Sequence, residues 1–139
     1  MNESENFFGI DYPNYHPLEI VLTDPENFLK IKETLSRIGV ASKKDNTLYQ
    51  SCHILHKKGR YFITSFKELF ALDGKATDIT ENDLQRRNTI AKLLEEWDLL
   101  QIVDSGDLET CPISQIKIIS YKEKHNWNLV PKYNIGVKK

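Results

Sequence analysis

Two runs rich in β-branched and aromatic side chains, Tyr49 to Lys57 and Arg60 to Phe66, flank Lys58-Gly59. This arrangement constrains the fold more than any other stretch, because a two-residue loop ending in glycine joins antiparallel strands tightly. With Lys58 and Gly59 as the loop, Leu55 faces Phe62, Ile54 faces Ile63, and Lys57 and Arg60 gather at the tip.

Helical signals surround the hairpin. Leu18 to Leu22 is a short strand, and Thr23-Asp24-Pro25 then offers a helix start with Asp24 as N-cap and Pro25 at the first helical position. Phe28, Ile31, Leu35 and Ile38 recur at steps of three and four, so the helix is predicted to run to Ile38 and to be capped by Gly39. A short helix is expected from about Lys67 to Asp73-Gly74. A second long helix begins at Thr80, with Asp83 completing a variant capping box, and packs through Leu84, Ile90, Ala91, Leu93, Leu94 and Trp97. Leu99 to Val103 and Ile116 to Lys122 read as strands around a turn at 104–107. Residues 1–17 show no period and form an irregular extension. Its Phe7, Phe8, Tyr12 and Tyr15 predict that it docks on something.

With 139 residues, 40% of them hydrophobic and 28% charged, the chain suits one soluble domain and excludes wholesale disorder, collagen and coiled coil. No apolar run approaches the length needed to span a bilayer, and the first residues lack the basic start and apolar segment of a signal peptide. A cytoplasmic protein with reduced Cys52 and Cys111 is expected. The formal net charge of −1 hides segregation: Lys+Arg against Asp+Glu is 0 to 6 over residues 1–26, 9 to 3 over 27–72, 4 to 10 over 73–109, and 6 to 1 over 110–139. Bringing the second and fourth blocks together would give a basic face that attracts a polyanion.

Catalysis and metal binding find little support. Cys52 and His56 share a strand face but stand about 13 Å apart at ~3.3 Å per residue, too far for one ion. Cys52 and His53 point to opposite faces, no nucleophile elbow or phosphate-cradling loop is present, and no carboxylate cluster is placed to hold Mg²⁺ for a nuclease. No enzyme activity, cofactor, metal or small-molecule substrate is expected.

Nucleic-acid signals are stronger. Lys30, Thr34 and Arg37 fall at i, i+4 and i+7 of the first helix, away from Phe28, Leu35 and Ile38, and present two cations and a hydroxyl to phosphate or base edges. Lys57, Lys58 and Arg60 extend that field if the hairpin tip lies nearby. In the tail, Tyr121 and Trp127 interleave with Lys122, Lys124 and His125, as single-strand stacking platforms require. The stretch Lys58-Gly59-Arg60-Tyr61-Phe62-Ile63 is similar only in part to the stacking strand of an RNA recognition motif. Arg60 and Ser65 occupy ring positions, so Phe62 and Phe66 are read as core.

Phe28-Leu29-Lys30, Leu48 to Leu55 (LYQSCHIL) with Lys57-Lys58-Gly59, and Leu129 to Tyr133 (LVPKY) resemble the RegA translational repressor family of T-even-like bacteriophages, over roughly residues 18–139. The resemblance implies a small RNA-binding protein that blocks ribosome assembly at the start of phage early messages in the cytoplasm of the infected host, with the capacity to form homodimers. It implies RNA-binding roles for Lys30, Thr34, Arg37, Lys57 and Lys58, and for Tyr121 in place of a family phenylalanine. The extension 1–17 and the stretch Ser105 to Ser114 depart from it. Residues and resemblance together predict a single compact α+β domain over 18–139, with two long helices, short helices and antiparallel sheet regions. The competing expectation is a protein-interaction module that uses the acidic 73–109 segment and the aromatic extension.

Overall fold

The computed structural model describes residues 8–10, 15–41, 48–75, 77–104, 106 and 108–118. The described chain runs β1 (Leu18–Leu22), α1 (Asn27–Leu35), β2 (Ile38–Ala41), β3 (Leu48–Gln50), β4 (Cys52–Lys57), β5 (Arg60–Ser65), α2 (Phe66–Leu72), α3 (Glu81–Glu96), β6 (Leu100–Ile102), a 3₁₀ turn (Ile113–Gln115) and β7 (Lys117–Ile118). The strands form two antiparallel sheets, one in the order β4-β5-β1-β6 and one in the order β3-β2-β7.

The hairpin has the expected register. Leu55 pairs with Phe62, Ile54 with Ile63 and Lys57 with Arg60. Lys58 (φ +53°) and Gly59 (φ +78°) both take positive φ, the combination that a type I′ turn needs to match strand twist. The expected strand Tyr49 to Lys57, however, breaks at Ser51. Its first part joins the smaller sheet, and Ser51 is held at the crossing by its N–H to the Ile38 carbonyl (3.3 Å) and by its own carbonyl, which accepts from the Phe66 N–H (3.2 Å).

The first helix is shorter than its apolar spacing predicts. Asp24 caps a turn ahead of it: its Oδ1 accepts from the Glu26 N–H (2.9 Å) and its carbonyl from the Asn27 N–H (2.8 Å), so the helix starts at Asn27. At the other end Ser36 Oγ donates to the Glu33 carbonyl (2.5 Å), and the chain turns at Arg37. Ile38 and Gly39 enter β2, the central strand of its sheet, because pairing on both sides satisfies more backbone groups than another helical turn. With 9 residues in α1, 7 in α2 and 16 in α3, one helix among the described residues is long rather than the two expected. The start read at Thr80 with Asp83 is a reciprocal capping box as expected, and a second box that sequence reasoning did not name, Ser65 with Glu68, starts α2 at Phe66 rather than about Lys67.

Alternation gives the larger sheet two faces. Leu18, Ile20, Tyr61, Ile63, Cys52, Ile54 and His56 lie on one, where α1 and α3 bring Ile31, Leu35, Ile90, Ala91 and Leu94 to make the main core. The other face carries Glu19, Arg60, Phe62, Leu55 and Lys57. There Phe62 is covered by Phe8 and Tyr15 from the extension, with Ile10, Leu72 and Leu84 around them. Of the four rings expected to dock, Phe8 and Tyr15 pack on the chain's own sheet, the Phe8 ring meeting Phe62 edge-on at 4.7 Å, while Phe7 and Tyr12 lie outside the described residues.

Candidate nucleic-acid interface

The hairpin tip projects cations because a two-residue turn leaves no room to bury them. Lys58 is exposed on its left-handed backbone. Lys57 lies on the face away from α1, with Nζ 5.5 Å from the centre of the Phe8 ring. Arg60 is committed to Glu19 across the strand pair, Nε to Oε2 at 3.0 Å and Nη2 to Oε1 at 2.5 Å, and its guanidinium lies 5.7 Å from the Phe62 ring. Its charge is therefore largely matched before any ligand arrives.

The cationic stripe expected on the first helix is not an outward stripe. Lys30 is exposed, but Thr34 is buried and Arg37, at 1% exposure, is sealed within the fold. The reason lies in the helix boundary: with α1 ending at Leu35, Arg37 no longer continues the helical spacing and sits in the turn leading into β2. Viewed down α1, Lys30 and Phe28 lie about 160° apart at ~100° per residue. Lys32, one turn on from Phe28, is the exposed cation on the Phe28 side of the helix. Tyr121 and Trp127 lie outside the described residues.

Sequence reasoning missed a ring cluster between α1 and the tip. His56 and Tyr61 are cross-strand partners whose rings stack at 4.4 Å with 12° between planes. Phe28 leans on both, at 6.4 Å from His56 and 5.6 Å from Tyr61. The signal was available: the register that sets Leu55 opposite Phe62 also sets His56 opposite Tyr61. Reading His56 only as a metal ligand, and Phe28 only as core, concealed it.

Below the other face lies a buried polar knot. Glu68 Oε1 accepts from the Ser65 N–H (2.7 Å), and Oε2 accepts from Arg87 Nη1 (2.9 Å) and the Tyr15 hydroxyl. Burial, then the neighbouring Glu68 charge, holds the Tyr15 hydroxyl well above the usual tyrosine range. Burial likewise pushes the Cys52 thiol up to about 12, which makes it a poor nucleophile at neutral pH. Both groups keep their protons longer in the folded chain than in the unfolded one. Stability is therefore intact below their unfolded values and declines as pH rises through them toward the folded ones. Urea midpoints measured between roughly pH 8 and pH 11 are expected to fall steadily, and a flat or rising profile would contradict this burial.

Among the described residues no three His, Cys, Asp or Glu side chains converge on a metal position, and no helix is long and apolar enough to cross a membrane. Residues 17–136 match the family model described as bacteriophage translational regulator. The chain is 52% identical over 120 residues to proteins named translation repressor protein from Enterobacteria phages T4 and T6, an overlap of 86% of this chain and 98% of each relative. It is 50% identical, over the same shares, to the translation repressor protein of Escherichia phage RB69. Phe8 and Tyr15, which cover Phe62, lie ahead of the matched region.

Proposed function

The chain belongs to the bacteriophage translational regulator family, and from that premise we propose that it binds single-stranded messenger RNA around the translation start, with a preference for sequence. On this reading it represses phage early genes by occupying the region where the ribosome assembles, in the cytoplasm of the infected host. The observation that carries the proposal is the hairpin tip, where a tight turn holds exposed Lys58 beside Lys57 at the edge of the sheet that packs on α1. Protruding cations on a rigid turn suit phosphate contact, and such contact supplies most sequence-independent affinity.

Lys58 and Lys30, both exposed, neutralise phosphates. Lys57 does so from the opposite sheet face, beside Phe8. Buried Thr34 and Arg37 lie off that phosphate path, and Arg60 orients the tip through Glu19. Tyr121 and Trp127 retain the stacking role that their rings suit.

Replacement Lys58→Ala is expected to weaken binding of an RNA spanning a start codon and to reduce the magnitude of the salt slope by about 0.7, with an unchanged melting temperature. An unaltered slope removes Lys58 from the phosphate path. A gel-shift series with start-codon RNA, scrambled RNA and duplex DNA tests the wider proposal. A preferential shift of the first supports it, and no shift at low salt transfers the role to protein interaction.

A further inference from the structure

The His56–Tyr61 ring pair runs across the strands, from β5 outward to β4. Among the described strands β4 is the last in its sheet, so the stack ends there on a ring at the sheet edge. Tyr61 covers one face of His56, Phe28 leans on the pair from the α1 layer, and the imidazole is exposed. Exposed Lys58 follows it by two residues, and exposed Lys32 lies one helical turn from Phe28. An exposed ring stacked by Tyr61 on one side, with exposed cations two residues on in the turn and one turn from Phe28 on α1, suits an unpaired nucleotide, whose base needs a flat apolar partner and whose phosphate needs a cation.

We propose that the outer face of His56 is a base-stacking subsite, so that an unpaired RNA base becomes the third ring after Tyr61 and His56. This rests on the RNA-binding reading above and adds the residue that receives a base. Tyr61 stacks behind His56, and Phe28 is a positioning residue that sets the ring angle from α1. The occupant is RNA rather than a second copy of the chain, because the same cations would face each other across a symmetric contact and repel.

His56→Ala is expected to weaken binding of a short single-stranded RNA centred on AUG by about 5- to 150-fold, the range for losing one stacked base, with an unchanged salt slope. His56→Phe keeps a ring and is expected to restore most of the affinity. RNAs carrying 2-aminopurine at successive positions should show one position quenched by the parent chain and by His56→Phe, but not by His56→Ala. Affinity of His56→Ala equal to the parent's, or a change in oligomeric state without loss of RNA affinity, overturns the subsite. Lys58→Ala serves as the parallel arm: if it weakens binding while His56→Ala does not, the subsite fails and the RNA reading stands. If the parent chain binds no RNA, both fail.

Discussion

Glu68→Ala is expected to unfold on the order of 10–20 °C below the parent chain, a loss of about 3–5 kcal/mol. Glu68 is fully buried, and three donors converge on its carboxylate: the Ser65 N–H, Arg87 Nη1 and the Tyr15 hydroxyl. Removing it strands the Arg87 guanidinium, itself 3% exposed, with Asn88 Oδ1 as a neutral acceptor on Nε at 3.1 Å. It also takes away one half of the capping box that starts α2. A buried charge without its counterion costs far more than the pair contributes, so the double replacement Glu68→Leu with Arg87→Met should recover much of the loss. Thermal and urea unfolding of the two variants checks this, and a single variant as stable as the parent would show that the knot carries little weight.

Phe62→Ala is expected to cost a similar amount, about 3–5 kcal/mol. Phe62 has no exposed surface and forms one buried cluster with Phe8 and Tyr15, with Leu55 of the same hairpin packed against it. A cavity there lowers stability directly and also removes one of the partners that hold the extension down, the Tyr15 bond to Glu68 being another. Two readouts should move together: the urea midpoint should fall, and chymotrypsin should cut near Phe8 faster than in the parent chain. Phe62→Leu, which keeps most of the volume, should lose less on both. If stability falls while cleavage stays at the parent rate, another anchor holds the extension.

How far these features could be read beforehand depended on the range of the interaction that decides them. The hairpin register was legible because turn chemistry and alternation act within a few residues, and the starts of α2 and α3 were legible for the same local reason. The end of α1 was not. Apolar spacing continues through Ile38, yet pairing with β3 a few residues on and with β7 some eighty residues away pulls Ile38 and Gly39 into a sheet. That one boundary decides the fate of Arg37, which reads as an outward cation on an extended helix and is buried once the helix stops. Arg60 shows the same limit: its charge is plain in the sequence, while its match with Glu19 depends on β1 lying beside β5. The ring cluster at Phe28, His56 and Tyr61 was half legible, since the hairpin register supplied two members and only helix packing supplied the third.

The docking of Phe8 and Tyr15 reaches beyond their own stability. These residues precede the stretch shared with the phage repressors, yet Leu55, Phe62, Leu72 and Leu84 inside that stretch pack against them. A chimera joining this 17–136 segment to the start of a shorter relative would therefore bare a greasy surface and invite clumping. In this chain the two portions pack as a unit.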